Sequence, residues 1–152
     1  MSRVQLALNV NDLNESIAFY SKLFGTEPAK VRDGYANFAV AEPPLKLILM
    51  ENPGRGGSIN HLGVEVEGVE SVDAEQTRLA ESGLASVDER GTTCCYAKQD
   101  KFWVEGAPNG ERWEIYTVLA DSATFSTQTA EGGACCATAV GAERSTDSTS
   151  CC

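Results

Sequence analysis

Positive charge is scarce in this chain. Lys and Arg total 12 against 22 Asp and Glu over 152 residues, a formal net charge of −10. A surface of that sign repels phosphate backbones, which argues against a nucleic-acid partner, and it supplies no polybasic anchor for an anionic membrane. Long apolar runs are missing as well: no stretch approaches the roughly 20 apolar residues of a membrane span. Met1-Ser2-Arg3 leads directly into a strand-like pattern, without the apolar region of a signal peptide. A cytoplasmic protein is expected, with no membrane partner. Histidine is reduced to His61 alone, and isolated cysteines are absent. The six cysteines form the adjacent pairs Cys94-Cys95, Cys135-Cys136 and Cys151-Cys152. That spacing is unlike a disulfide framework, and a reducing cytosol disfavours one. Two soft sulfurs side by side suit a thiophilic centre instead. What remains, 42% apolar and 22% charged residues, is ordinary for a globular protein of one domain or two small packed modules.

Composition shifts near residue 120. Of the 33 residues from Ala120 to Cys152, 25 are Ala, Gly, Ser, Thr or Cys, and Phe125 and Val140 are the only large apolar side chains. Such a segment buries too little surface to offset its ordering entropy. A folded unit over 1–119 followed by a disordered Cys-containing tail over 120–152 is therefore expected. The unit contains a repeat. Val4-Gln5-Leu6-Ala7-Leu8-Asn9-Val10 resembles Asn60-His61-Leu62-Gly63-Val64-Glu65-Val66 at an offset of 56 residues, and each copy alternates with the period of a half-buried strand. A helix follows each copy. The first is predicted over Leu13–Phe24, with Asp12 as N-cap, Glu15 as its capping-box partner and Gly25 at C′. The second is predicted over Val69–Ser82, ending at Gly83. Strand patterns then run over Ala29–Asp33, Tyr35–Val40 and Leu45–Glu51, and over Cys95–Gln99, Phe102–Gly106 and Arg112–Val118, with turn signals at Asp33-Gly34 and Asn109-Gly110. The fold class is α+β: two tandem βαβββ modules, over about 1–52 and 59–119, forming two four-stranded sheets that curve toward each other with helices outside. The Gly- and Pro-rich joint over 52–58 precedes a strand, so it is not a phosphate loop.

Strand parity selects the residues facing the cleft. Val4, Leu6, Leu8 and Val10 pack under the first helix, so Gln5, Ala7 and Asn9 face the concave side. By the same logic His61, Gly63 and Glu65 face it from the second copy, and Arg112, Glu114 and Tyr116 from the last strand. Gln5 and His61 are related by the repeat, and Glu114 can join them. An amide oxygen, an imidazole and a carboxylate suit Fe(II), Mn(II), Ni(II) or Zn(II) and leave coordination positions open. The competing reading has His61 capping a sheet edge and Glu114 on the surface. For Cys94-Cys95 the alternative is two small strand residues, one buried and one exposed. Tyr96 and Lys98 share the Cys94 face by parity, as candidate cleft lining or as half-exposed strand residues.

The repeat together with Gln5, His61 and Glu114 resembles the vicinal oxygen chelate superfamily, which includes glyoxalase I, extradiol dioxygenases and fosfomycin-resistance proteins. The combination with the run Gly91 to Val104, containing Cys94-Cys95, and with Asn109-Gly110-Glu111-Arg112-Trp113-Glu114 resembles the organoarsenical C–As lyases, which are related to cadmium-induced proteins. The resemblance covers residues 1–119. It implies metal ligation by Gln5, His61 and Glu114, substrate binding by Cys94 and Cys95, and Fe(II) as cofactor, with other divalent metals able to occupy the site. It implies Fe(II)- and O2-dependent cleavage of the carbon–arsenic bond of trivalent organoarsenicals such as methylarsenite and aromatic arsenicals, by a monomer or homodimer. The strand Leu45–Glu51 carries no carboxylate at its centre for the fourth ligand of glyoxalase-type sites. The residues from Gly83 to Thr93 are expected to form a linker on which the thiols swing. Cys135, Cys136, Cys151 and Cys152 are either gatherers of thiophilic ligand or dispensable thiols. Two other functions compete: thiol-based sequestration of cadmium or arsenic without catalysis, and a different metal-dependent enzyme on the same fold, which leaves Cys94-Cys95 without a role.

Overall fold

The computed structural model describes residues 1–126. The tail cysteine pairs, and the expectations attached to them, lie outside the described residues. The chain folds as β1 (Arg3–Val10), α1 (Leu13–Phe24), β2 (Lys30–Arg32), β3 (Tyr35–Val40), β4 (Leu45–Glu51), β5 (Ile59–Glu65), α2 (Gly68–Glu81), β6 (Ser86–Cys94), β7 (Ala97–Val104) and β8 (Trp113–Asp121). This is the two-module βαβββ arrangement that the repeat predicts. The eight strands form one continuous curled sheet, in the order β2-β3-β4-β1-β5-β8-β7-β6. The two four-stranded halves are not separate, because β1 and β5 pair antiparallel at the seam, with Gln5 opposite Gly63 and Ala7 opposite His61. Within each half the first and last strands run parallel, β1 beside β4 and β5 beside β8.

Both helices lie on the convex face, and their termini follow local chemistry. The Asp12 side chain accepts from the Glu15 backbone N–H at 2.8 Å and caps α1; Gly25 ends it in the left-handed region at φ +61°. Under α1, the alternate residues Leu6, Leu8 and Val10 pack with Phe38, Leu47 and Leu49. Under α2, Val72 packs with Phe102 and Ile115. The opposite parity of every strand is then left to the concave face, where the buried polar residues collect. Among the described residues no helix is long and apolar enough to cross a membrane.

Three expectations are corrected. The residues from Gly83 to Thr93 are not a linker: Ser86–Cys94 is a full strand paired with β7, interrupted by a register shift between Glu89 and Thr92. The predicted strands Cys95–Gln99 and Phe102–Gly106 are one strand, β7. At the C-terminal end, β8 runs to Asp121, past the predicted boundary at 119. The chain then turns back, so that Ser126 bridges to Cys94 and Phe125 packs on Tyr35 and Tyr96.

Candidate metal centre and thiol pair

The seam brings the repeat-related residues together. Gln5 on β1, His61 on β5 and Glu114 on β8 are each at most 2% exposed and meet on the concave face. Gln5 Nε2 lies 3.1 Å from His61 Nε2 and donates to Glu114 Oε1 at 2.7 Å; His61 Nε2 and Glu114 Oε1 are 3.5 Å apart. Gly63 leaves the space for this meeting. A Cβ on it would lie 3.0 Å from Glu114 Cγ and 3.2 Å from Gln5 Nε2.

Each member is held from behind. Lys101, fully buried, donates to Glu114 Oε2 at 3.0 Å. Burial opposes ionisation of Glu114, but the Lys101 ammonium outweighs it and holds the carboxyl well below the usual carboxylate range. His61 Nδ1 lies 2.8 Å from Asn60 Oδ1, while the Asn60 amide nitrogen donates to Asn9 at 3.1 Å. That polarity assigns the ring proton to Nδ1 and leaves the Nε2 lone pair facing the cluster. The Tyr116 hydroxyl lies 2.5 Å from Gln5 Oε1 and 3.0 Å from Glu65 Oε2. Burial, then the Glu65 charge, push the Tyr116 phenol well above its ordinary value, so it keeps its proton. Glu65 is itself paired with Arg3 at 3.1 Å and Lys46 at 3.3 Å; burial opposes its ionisation, but these cations lower its pKa.

The donor set fits a divalent cation. Ligand atoms at about 2.1 Å from a metal and at right angles to one another are about 3 Å apart; the side chains of Gln5, His61 and Glu114 approach to that range, and the set suits a cation once the Gln5 amide presents Oε1, since the atom now facing inward is Nε2. Among the described residues, no group of three or more His, Cys, Asp and Glu side chains could hold a metal ion; this cluster has two of those types, and its third member is an amide.

The sequence places Cys94 and Cys95 in or beside a strand, where neighbouring side chains point to opposite faces. The structure places them at a turn. Cys95 and Tyr96 both adopt positive φ, +54° and +60°, between β6 and β7. The chain reversal turns both sulfurs inward: Cys94 is 2% exposed, Cys95 6%, and their Sγ atoms are 3.2 Å apart. The alternative of one buried and one exposed thiol is thereby overturned. The pair belongs to the same apolar cluster as Ala7, Met50 and Trp103, and the Trp103 indole stands edge-on to His61 at 5.7 Å. Trp103 therefore connects the thiols to the polar cluster, and its buried Nε1–H has no hydrogen-bond partner among the described residues. Tyr96 packs against this cluster. Lys98 does not line it: it is exposed and has the parity of Phe102, which faces α2.

Lys101 and Asn60 are neighbours of the cluster that parity did not single out, and Gly63, already on the concave face by parity, gains a steric role. The alternation along β7 was the available signal for Lys101, obscured by splitting that strand in two.

A sheet of two tandem βαβββ modules with a polar cluster at the seam defines a class. The chain belongs to the Glyoxalase/Bleomycin resistance protein/Dioxygenase superfamily, whose family model matches residues 3–115. It is 62% identical over 143 residues to the cadmium-induced protein CadI of Mycobacterium tuberculosis, covering 90% of this chain and 93% of that one. It is 61% identical over 137 residues to the trivalent organoarsenical cleaving enzyme of Thermomonospora curvata, covering 90% of this chain and 89% of that one. Among solved structures, the Mn(II)-bound glyoxalase from Novosphingobium aromaticivorans superposes with a TM-score of 0.57 at 21% identity, over 81% of this chain and 42% of that one. That likeness is one of fold.

Proposed function

We propose that this protein cleaves the carbon–arsenic bond of trivalent organoarsenicals, using Fe(II) and O2, and releases arsenite and an oxidised carbon fragment that takes up oxygen from O2. The observation that supports it is the meeting, on one buried face, of an amide–imidazole–carboxylate cluster with two thiols whose sulfurs lie 3.2 Å apart. The relative named a trivalent organoarsenical cleaving enzyme supplies the substrate class. Gln5, His61 and Glu114 would hold the metal, and the same set would accept other divalent ions. Fe(II) held there would supply the O2-activating chemistry that oxidation of the carbon–arsenic bond requires.

The protein's own residues do the rest. A trivalent arsenical with one organic group has two exchangeable positions. Cys94 and Cys95 displace both, which fixes the arsenic at two points and presents its remaining bond, the one to carbon. The turn at Cys95-Tyr96 makes this chelation geometrically available. Lys101 keeps Glu114 ionised, Asn60 fixes the His61 tautomer, and the apolar wall of Trp103 and Met50 excludes water. That reaction would serve organoarsenical detoxification, and we take the protein to be a cytoplasmic monomer or homodimer.

The test is arsenite release from methylarsenite by protein loaded anaerobically with Fe(II), followed by a pulse of air. Arsenite that requires both iron and O2 supports the lyase reading. A second reading, thiol-based sequestration, draws on the 62% identity to a cadmium-induced protein. It predicts stoichiometric methylarsenite binding with no arsenite and no O2 uptake under any metal, an outcome that would replace the first reading.

A further inference from the structure

We infer that Tyr116, backed by Glu65, is a positioning residue that sets which end of the Gln5 amide faces the centre, reversing its hydrogen bond when a metal enters. This rests on the reading of Gln5, His61 and Glu114 as metal ligands. As the structure stands, the amide is turned nitrogen-inward: Nε2 faces the His61 Nε2 lone pair at 3.1 Å and donates to Glu114 Oε1 at 2.7 Å. Oε1 is turned outward and accepts from Tyr116 at 2.5 Å. The metal-free cluster thus satisfies itself. An amide nitrogen has no lone pair to give a cation, so the same residue can ligate only if the amide turns over and brings Oε1 inward.

The turned amide would present Nε2–H to the Tyr116 oxygen, and here the second contact of that hydroxyl matters. Tyr116 has one proton and two acceptors within reach, Gln5 Oε1 and Glu65 Oε2 at 3.0 Å. It can serve only one at a time. With Nε2 outward, the hydroxyl accepts from Gln5 and gives its proton to the Glu65 carboxylate, the stronger acceptor. Arg3 at 3.1 Å and Lys46 at 3.3 Å hold that carboxylate in place. With no cation, the same orientation would set Oε1 against the Glu114 oxygen, two acceptors in contact, so the amide turns back. The hydroxyl makes one bond in the metal-free state and two in the metal-bound state, one of them charge-assisted. Its removal therefore costs the metal-bound state more.

The experiment compares Mn(II) affinity, read by the EPR signal of free ion, in the full-length protein and in Tyr116→Phe. Mn(II) is chosen because it prefers oxygen and nitrogen donors to thiols. Affinity is expected to fall roughly 10- to 100-fold in Tyr116→Phe, with a metal-free melting curve that remains cooperative. A second measurement on the wild-type protein avoids the variant altogether. With diamagnetic Zn(II) at the site, shown by a shift of the His61 ring nitrogens, the Gln5 side-chain amide protons should exchange their NOEs to His61 for NOEs to the Tyr116 ring. Amide protons that stay on the His61 side in a metal-bound protein would overturn the inference and leave the metal reading intact. So would an unchanged Mn(II) affinity in Tyr116→Phe. A wild-type protein that binds neither ion at Gln5, His61 and Glu114 would overturn both.

Discussion

Lys101 carries a disproportionate share of the site at the scale of single residues. It is fully buried, 3.0 Å from Glu114 and 3.5 Å from Glu89, with its ammonium 4.7 Å above the Trp103 ring. A buried pair of this kind contributes less by its own attraction than it costs to break, because the survivor is a desolvated charge. Lys101→Met is expected to lower stability by about 3–5 kcal/mol in urea unfolding near neutral pH. The acid side has a definite sign. Glu114 is depressed below its ordinary value of 4.5 in the folded state, so its contribution is present above that value and is lost as pH falls through the folded one. Without Lys101 the folded value rises, and the variant should unfold at higher pH than the wild type in an acid titration followed by circular dichroism. Gly63 acts by absence. A Cβ there would press on Glu114 Cγ and Gln5 Nε2 together. Gly63→Ala should fold cooperatively yet bind Mn(II) several-fold more weakly, and equal affinity would show that the two side chains give way without loss.

The hairpin of β6 and β7 is the element that converts two neighbouring cysteines into a chelate. Its turn residues, Cys95 and Tyr96, occupy a left-handed region that costs non-glycine residues about 1–3 kcal/mol each. That strain is offset by packing of Tyr96 on Tyr35 and Phe125. Two-point attachment should exceed one-point attachment by roughly 10²–10⁴-fold. In protein ending at Ser126, which lacks the four tail thiols, Cys94→Ser and Cys95→Ser are each expected to weaken methylarsenite binding by that order in a competition assay with a dithiol. Ending the chain at residue 119 would also remove Phe125 from Tyr35 and Tyr96, and so would confound the comparison. This hairpin is also where reading the sequence stopped short. Gln5, His61 and Glu114 were legible because β1, β5 and β8 alternate with period two and the first two strands repeat. β6 was not, because Ser86–Cys94 has Val87 as its one large apolar residue and lies at the sheet edge, where burial imposes no pattern. The turn at Cys95-Tyr96 was hidden because it contains none of the Gly, Asn or Asp that mark positive φ. Because that turn interrupts the alternation, parity carried on from Cys94 points to Lys98, whereas Gln99 and Lys101 are the residues of β7 on the concave face.

The whole molecule is a pair of modules joined edge to edge, and the candidate metal centre straddles the joint. Gln5 comes from the first module, His61 and Glu114 from the second, and β1 meets β5 between them. Just along the seam, Glu65 of the second module is held by Arg3 and Lys46 of the first. A ligand that binds only the folded state stabilises it by mass action, about 2.7 kcal/mol at a hundredfold excess over Kd. Because the ligands span the seam, that stabilisation applies to separation of the modules and should raise the single cooperative transition as a unit. A domain of this size then gains roughly 10 °C in melting temperature. Gln5→Ala leaves two ligands, both in the second module, and removes the link across the joint. Most of the Mn(II)-dependent shift should vanish with it in differential scanning calorimetry, measured from the variant's own metal-free transition, which the loss of the buried Gln5 hydrogen bonds itself lowers. A shift of equal size in Gln5→Ala would mean that the cation stabilises the second module alone, and that Gln5 belongs to the seam rather than to the metal.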